Sequence, residues 1–254
     1  MVFKVLGIIP ARFASTRFPG KPLVLILGKT LLQRTFENAR RVTILDELLV
    51  ATDDMRISEH VRLFGGQVVM TSLSCPTGTD RLAEVIQKHP EWLSADAVVN
   101  IQGDEPCIDP LAIEAAVMLL LQDPQASMAT LAAPLKTEEE ACNPSIVKCV
   151  VDQQNNALYF SRSLIPANKK QHFNPQGPYY RHIGLYVYRP TFLLHYQTLR
   201  PTPLQLEEDL EQLKVLEHGY RIKVAVTDTA SIGIDTPEDL NQIEQWICKQ
   251  NTFS

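Results

Sequence analysis

Three basic residues lie close together on a segment rich in small residues, directly after the first apolar run of the chain. Arg12, Arg17 and Lys21 are interleaved with Ser15, Gly20 and further small or rigid residues. Guanidinium and ammonium groups pair with phosphate oxygens, and glycine allows a backbone to approach a phosphate closely. A solvated basic loop would carry the same charges, but their spacing among Gly, Ser and Thr favours an anion site. The pattern predicts a loop that binds a nucleotide triphosphate.

Two aspartates occupy turns where a carboxylate can hold a divalent cation beside a triphosphate. Asp104 follows a continuous apolar strand, and Asp235 directly precedes a helix start at Thr236 and Pro237. Mg2+ prefers oxygen ligands and accompanies nucleoside triphosphates in enzymes. We therefore expect Asp104 to contact a metal, in preference to acting only as a local cap. For Asp235 the residues alone leave two interpretations open, a second metal ligand or a surface turn.

Other polar residues have side chains suited to a small ligand, although each also has a plain structural explanation. Thr79 and Arg81 open a helix whose backbone groups could hydrogen-bond the edge of a flat base, or the segment could be an ordinary cap. Arg162 and the Arg181–His182 pair are cations that could bind a carboxylate. Taken singly, such residues are more often surface groups or satisfied structural ones.

The first half of the chain alternates apolar strand patterns with helical ones. Strands are predicted over residues 2–9, 47–51, 67–70 and 97–101, and helices over 30–41, 79–88 and 110–121. A further helix would be capped by Asp53 or Asp54 and would end at Leu63. The strands are continuously apolar, which is typical of a parallel sheet covered by helices on both faces. Ligands of such sheets lie beyond the carboxyl ends of the strands, where the basic loop and Asp104 are expected.

The second half has a different pattern and predicts an antiparallel extension. Strands are expected over residues 128–132, 146–151, 157–160, 183–188 and 222–226, with an exposed loop over 169–180. One helix is predicted along Leu206 to Leu216, and a closing helix over 237–247. The acidic residues at 207–211 would ordinarily form a solvated face, although Glu211 and Gln212 could bind sugar hydroxyls.

The composition excludes several classes of protein. The chain has 254 residues, 45% of them hydrophobic, and a formal net charge of -5, which argues against a nucleic-acid partner. Its longest apolar runs are too short to span a membrane, and we expect no secretory signal. The five scattered cysteines contain no C-x-x-C pair, which favours a reducing cytoplasm over disulfides or a zinc site. Neither a complete P-loop nor G-x-G-x-x-G is present.

Eight motifs in order along nearly the whole chain resemble the 3-deoxy-manno-octulosonate cytidylyltransferases. They are IIPARFASTRFPGKPL, VATDD, CPTGTDRLAE, VNIQGDEP, ALYFSRSLIP, RHIGLYVYR, LEQLKVLEHGYRI and GIDTPEDL. The resemblance implies a Rossmann-like α/β nucleotidyltransferase fold with a mostly parallel sheet and an antiparallel extension. It also implies a homodimeric, cytoplasmic enzyme of lipopolysaccharide synthesis that couples CTP to the acidic sugar 3-deoxy-D-manno-octulosonate (Kdo) and releases pyrophosphate. We expect one domain, with a nucleotide-binding part over about 1–130, a sugar-binding and dimerisation insertion over about 131–225 and a closing segment over 226–254.

Carried over position by position, the resemblance implies distinct groups of site residues. The CTP phosphates would be bound by Arg12, Ser15, Arg17 and Lys21. The cytosine or ribose would lie near Thr79 and Arg81, and magnesium would be held by Asp104 and Asp235. Kdo would be surrounded by Gln102, Arg162, His182, Tyr186, Glu211 and Gln212. In the expected reaction the sugar hydroxyl attacks the α-phosphorus in line, with Arg17 and Lys21 stabilising the charge on the leaving group.

Two alternatives stay open at this stage. A cytidylyltransferase acting on another acidic sugar, such as sialic acid, could use the same nucleotide half. A nucleotide-binding regulatory module without turnover would also need the basic loop, although it would not need Asp104, Asp235 and Lys21 together.

Overall fold

The computed structural model describes residues 3–14, 18–169, 172–228, 233–234 and 236–252. The chain forms two compact units, the first made of Met1–Leu111 with Ser231–Ser254 and the second of Ala112–Ala230. The division along the chain thus falls at residue 111, whereas the nucleotide-binding part was predicted to extend to about residue 130. The closing segment belongs to the first unit.

The first unit is built around a parallel sheet. Its elements in chain order are β1 (Val5–Ala11), β2 (Leu25–Ile26), β3 (Lys29–Thr30), α1 (Leu31–Ala39), β4 (Glu47–Thr52), α2 (Met55–Leu63), β5 (Gln67–Met70), α3 (Gly78–Lys88) and β6 (Ala97–Asn100). Strand β1 pairs in parallel with β4 and β6, and β4 pairs in parallel with β5. The short strands β2 and β3 form a separate antiparallel pair.

Side-chain caps fix the starts of the helices in this unit. Thr30 accepts a hydrogen bond from the backbone of α1, and Asp54 does the same for α2. Thr77 and Asp80 form a reciprocal capping box on α3. These groups satisfy backbone donors that have no partner within the helix, so each helix begins within one or two residues of its predicted start. Strand β6 and the second half of β4 are buried, as the apolar runs predicted, whereas β5 is only partly buried and its Gln67 is exposed.

The second unit combines a parallel strand pair with an antiparallel extension. Its elements are α4 (Pro110–Gln122), β7 (Ala126–Pro134), α5 (Glu138–Cys142), β8 (Lys148–Val151), β9 (Ala157–Ser161), β10 (Tyr180–Tyr188), α6 (Pro190–Tyr196), α7 (Pro203–Glu208), α8 (Glu211–Glu217) and β11 (Arg221–Val226). Strand β7 runs parallel to β11 and antiparallel to β10, while β8 pairs antiparallel with β10 and β9. The predicted fold, a mostly parallel sheet flanked by helices with an antiparallel extension, is confirmed.

Two predicted helices differ from the structure. The single helix along Leu206 to Leu216 is wrong, because Asp209 takes a left-handed conformation (φ 52°) that separates α7 from α8. The closing helix α9 (Asp239–Thr252) begins two residues later than predicted. The backbone N–H of Thr236 donates to the Asp239 carboxylate at 2.8 Å, so the turn around Pro237 precedes the helix.

The closing segment packs into the first unit through apolar side chains. Ile234 and Ile243 are buried together with Ile26 and Leu31, and Leu240 packs against the same cluster. Burial of this cluster holds residues on both sides of position 235 against the unit that carries the basic loop. Among the described residues, no helix combines the length and apolar character needed to cross a bilayer.

Candidate active site

A cavity of about 390 Å³ opens at the carboxyl ends of β1 and β6 in the first unit. Its lining includes Pro10, Arg12, Lys21, Gln102, Gly103 and Asp104. Four of these, Arg12, Lys21, Gln102 and Asp104, are site residues predicted from the sequence. The cavity is within the size range of small-molecule sites, and it lies where parallel α/β sheets bind their ligands.

Lys21 joins two distant parts of the first unit at this cavity. Its Nζ atom donates to Asp104 Oδ2 at 2.6 Å and to the carbonyl oxygen of Ile234 at 2.6 Å. The backbone N–H of Ile234 in turn donates to the Asp104 carbonyl at 3.0 Å. The structure therefore brings the residue before position 235 to the turn that carries Asp104. Sequence reasoning missed the Ile234 carbonyl, because a backbone oxygen leaves no signal in the residue type.

Small residues and close backbone contacts shape the cavity. A Cβ atom at Gly103 would lie 3.1 Å from the carbonyl oxygen of Pro10, so a side chain there would crowd the end of β1. The buried hydroxyl of Thr35 donates to the Gly103 carbonyl at 3.1 Å and to that of Leu31. Gly20 has a φ of 72°, which is the left-handed region that glycine adopts without strain. Gly103 thus keeps its backbone close to the open space, and Gly20 forms the turn directly before Lys21.

Arg12 lies at the edge of the cavity and contacts the segment before α3. Its Nη1 donates to the carbonyl oxygen of Pro76 at 2.9 Å, next to the Thr77 cap. This hydrogen bond connects the basic loop with the helix start that contains Thr79, a predicted neighbour of the base or ribose. Thr79 itself is buried at the second position of α3.

Arg81 is completely buried, with 0% of its side chain exposed. Its Nη2 donates to Asp53 Oδ2 at 2.7 Å, and its Nη1 donates to the hydroxyl of Thr71. The guanidinium thus links α3 to the residues that follow β4 and β5. The role predicted for Arg81 near the nucleotide stays a prediction, and the structure adds an ion pair that the sequence gave no reason to expect.

His182 lies in β10 of the second unit, directly before a bulge in that strand. The register with β7 shifts between Ile183 and Tyr186, and the Thr130 hydroxyl donates into this irregularity, to the Leu185 carbonyl at 2.7 Å. The Thr130 hydroxyl oxygen also lies 2.8 Å from His182 Nε2. Because its own proton is donated to the Leu185 carbonyl, it must accept the proton of that nitrogen. Burial lowers the pKa of His182 to about 3, so the ring is neutral at physiological pH. This tautomer leaves the lone pair on Nδ1.

Tyr186 and Gln212, which lie far apart in sequence, are in direct contact. The Tyr186 hydroxyl donates to Gln212 Oε1 at 3.1 Å, and the Tyr186 ring lies 5.5 Å from that of His182. Gln212 is only 4% exposed, and its Nε2 has no hydrogen-bond partner among the described residues. The adjacent Glu211 accepts a hydrogen bond from the Tyr196 hydroxyl at 3.2 Å. His182, Tyr186 and Gln212, three of the residues predicted to bind the sugar, thus form one continuous group of contacts.

Arg162 is held by backbone oxygens around the break between α7 and α8. Its Nε donates to the Glu208 carbonyl at 2.7 Å, and its Nη2 to the Asp209 carbonyl at 3.3 Å. The Glu208 carboxylate accepts from the Arg162 backbone at 2.8 Å. The ammonium of Lys148, which is fully buried, donates to the carbonyl of Arg162, and burial lowers the Lys148 pKa. Arg162 therefore fixes the turn that leads into Glu211 and Gln212.

The remaining predicted residues, Ser15, Arg17 and Asp235, lie outside the described residues. Within the described part of the chain no group of three or more His, Cys, Asp or Glu side chains could hold a metal ion. Asp104 Oδ2 and the Ile234 carbonyl nevertheless converge on one positive charge, the Lys21 ammonium. A set of few protein oxygens suits Mg2+, which keeps several waters and takes further oxygens from substrate phosphates. The residues present therefore fit this ion.

A parallel sheet whose strand ends carry a basic, glycine-containing cavity defines the chain as an α/β nucleotidyltransferase. Residues 6–222 match the model of the cytidylyltransferase family. A protein of Protochlamydia amoebophila (strain UWE25), named 3-deoxy-manno-octulosonate cytidylyltransferase, is 66% identical over 253 residues, covering 100% of this chain and 98% of the relative. The chain therefore belongs to the 3-deoxy-manno-octulosonate cytidylyltransferase family, and the resemblance predicted from its motifs is confirmed.

Two further similarities extend this result. An Arabidopsis thaliana protein named 3-deoxy-manno-octulosonate cytidylyltransferase, mitochondrial, is 51% identical over 248 residues, covering 98% of this chain and 84% of the relative. A solved structure described as CMP:2-keto-3-deoxy-manno-octonic acid synthetase complexed with CTP is 38% identical with a TM-score of 0.90, covering 97% of this chain and 99% of that one. The prediction that the chain is a nucleotidyltransferase enzyme is confirmed.

Proposed function

We propose that the protein transfers CMP from CTP to the anomeric 2-hydroxyl of Kdo and releases pyrophosphate. The observation that carries the proposal is the cavity at the strand ends, which is lined by the paired Lys21 and Asp104 and by the backbone of Gly103. The related structure at 38% identity, which is complexed with CTP, supports CTP as the nucleotide substrate. The names of the relatives support Kdo as the acceptor.

The basic residues of the first unit would bind and orient the triphosphate. Arg12, Ser15, Arg17 and Lys21 contact its phosphates in this proposal, while Thr79 and Arg81 lie near the cytosine or ribose. Lys21 and Arg17 stabilise the negative charge that develops on the departing pyrophosphate, and one well-placed donor of this kind contributes about 3 kcal/mol. Catalysis then consists of in-line positioning and charge stabilisation, without a covalent intermediate on the protein.

Asp104 and Asp235 would hold Mg2+ in this proposal. When bound, the ion neutralises phosphate charge and lowers the pKa of the sugar hydroxyl. The described residues contribute the Asp104 carboxylate, fixed by the backbone hydrogen bond from Ile234 to the Asp104 carbonyl. That bond also holds Ile234, the residue before position 235, at the Asp104 turn.

Residues of the second unit would recognise the sugar, and Gln102 is a further residue that the family resemblance assigns to it. His182 Nδ1, as a lone-pair acceptor, suits a sugar hydroxyl, and the buried Gln212 Nε2 is a donor that a further hydroxyl can satisfy. The exposed carboxylate of Glu211 accepts hydrogen bonds. Arg162 supplies positive charge for the sugar carboxylate while its backbone contacts keep the turn in place. Tyr186 connects His182 to Gln212.

We also propose a cytoplasmic homodimer that acts in lipopolysaccharide synthesis. Five free thiols fit a reducing compartment. Leu158 and Leu206 of the second unit are 61% and 69% exposed, and such apolar side chains suit a subunit contact. Kdo is an acidic sugar of lipopolysaccharide, so the CMP-linked product would be used in lipopolysaccharide synthesis.

Asp104→Asn tests the catalytic part of the proposal. The substitution keeps the size and a hydrogen-bond acceptor but removes the charge, so we expect turnover to fall at least about 100-fold with thermal stability preserved. Asp109→Asn is the matched control, since this exposed residue of the same loop only accepts from the backbone of Leu111. A near-normal rate in Asp104→Asn would remove Asp104 from the mechanism.

A substrate panel separates the proposed reaction from its alternatives. CTP, UTP and ATP are each paired with Kdo, an amino analogue of Kdo and sialate, and pyrophosphate release is measured. We expect release with CTP and Kdo. Preference for sialate would reassign the acceptor, and CTP binding without release in any pairing would indicate a regulatory module.

A further inference from the structure

Lys21 is the predicted phosphate-binding lysine, yet its ammonium contacts oxygens of the protein, among them a carboxylate and a backbone carbonyl. Its Nζ lies 2.6 Å from Asp104 Oδ2 and 2.6 Å from the Ile234 carbonyl oxygen. The lysine side chain is 14% exposed and that of Asp104 is 32% exposed. The ion pair is thus largely enclosed at the wall of the cavity, where solvent screening is weaker than at an open surface.

Asp104 Oδ2 and the Ile234 carbonyl oxygen are also of the kind that a divalent cation such as Mg2+ binds. An ammonium donates up to three hydrogen bonds from one compact charge, so it can occupy a position among oxygens that a cation would otherwise take. A cation that takes the position of Nζ at Asp104 Oδ2 therefore displaces Lys21 from that oxygen. The flexible four-carbon stem allows such a displacement without movement of the backbone.

We propose that Lys21 is an exchangeable internal counter-ion, which occupies the cation position at Asp104 until a triphosphate draws the ammonium away. The inference rests on the proposed function, because it assumes that Asp104 holds a divalent cation when nucleotide is bound. A triphosphate offers the ammonium several charged oxygens, which are stronger partners than a neutral backbone carbonyl. Their arrival frees Asp104 Oδ2 for the cation. Divalent-cation affinity at Asp104 is therefore low without nucleotide and rises when nucleotide binds.

The first test measures Mn2+ binding to the nucleotide-free protein, with free Mn2+ followed by electron paramagnetic resonance. Lys21→Met removes the internal cation, and we expect Mn2+ to bind at least about tenfold more tightly than to the unmodified protein. Lys21→Gln should show the same gain and replaces Lys21→Met if the latter does not fold. Lys21→Arg keeps a cation and should retain the weak binding.

Two controls assign the gain to this site. Lys29→Met removes another lysine of the first unit, which pairs with Glu37 at 2.6 Å on the exposed surface, and should leave Mn2+ affinity unchanged. Asp104→Asn added to Lys21→Met should abolish the gain. The counter-ion role would be overturned if Mn2+ affinity rose by less than about tenfold in both Lys21→Met and Lys21→Gln. It would also be overturned if Mn2+ affinity rose in Lys21→Arg as much as in these neutral variants.

A crystal structure of the unmodified protein with CTP and Mn2+ separates this inference from the function on which it rests. We expect anomalous scattering from Mn2+ beside Asp104 and Lys21 Nζ beyond about 3.5 Å from both Asp104 carboxylate oxygens. Mn2+ bound there with Lys21 still paired to Asp104 would overturn the exchange alone. Absence of Mn2+ at Asp104 would overturn the metal role itself.

Discussion

Asp53→Asn should destabilise the protein strongly, because it leaves a buried guanidinium without its counter-charge. Arg81 has no exposed side-chain surface, and Asp53 is its carboxylate partner at 2.7 Å. Removing one member of a buried ion pair costs about 3–5 kcal/mol. Asparagine still offers an oxygen to the Arg81 Nη2, so we expect the lower end, about 3 kcal/mol of the free energy of unfolding.

This free energy converts into a measurable shift in the midpoint of thermal unfolding. With about 2.1 cal/mol/K of unfolding entropy per residue, the 254-residue chain has about 0.5 kcal/mol/K in total, so 3 kcal/mol corresponds to about 6 °C. Differential scanning calorimetry gives the midpoint, and urea unfolding gives an independent value of the free energy.

The neighbouring Asp54 provides a control with the same chemical change. Asp54 caps α2 and pairs with the exposed Arg56 at 2.6 Å. Asparagine caps helices as well as aspartate does, and exposed ion pairs contribute little, so Asp54→Asn should shift the midpoint by only a small fraction of the Asp53→Asn shift. Equal shifts in the two variants would refute the reasoning, since burial of the Arg81 charge is the difference between them.

Two further predictions follow from the positions of titratable groups. The pKa of His182 is lowered to about 3, so the unfolded chain binds a proton there below about pH 6.5 while the folded protein does not. The free energy of unfolding should therefore rise with pH between about 3 and 6.5. In His182→Gln, urea titrations should show a weaker dependence of this free energy on pH. The same pH dependence in the variant and the unmodified protein would contradict this. At pH 8 a thiol reagent should modify the exposed Cys142 and Cys248 first, because burial raises the pKa of Cys75 to about 11 and that of Cys149 to about 12. Mass spectrometry of the labelled peptides checks the order, and early labelling of Cys75 or Cys149 would be inconsistent with it.

Local chemistry explains the parts of the fold that could be predicted from the sequence. Apolar runs with Val and Ile indicated the strands, and the aspartates at 53 and 54 indicated a helix start, because caps act within a few residues. The break at Asp209 could not be predicted in this way. The leucines around it keep a helical spacing, whereas contacts from Arg162, 47 residues earlier, hold the left-handed turn.

The sequence by itself determined which residues can do chemistry. A basic, glycine-containing loop and an aspartate after an apolar strand indicate a nucleotide site, since charge and hydrogen-bonding capacity belong to the residue types. The tertiary structure alone decided which of these groups meet. Lys21 contacts Asp104 and the Ile234 carbonyl, which are 83 and 213 residues away, and Thr130 sets the tautomer of His182 across 52 residues. Such partnerships depend on how distant segments pack, and burial then changes the energy of each charge.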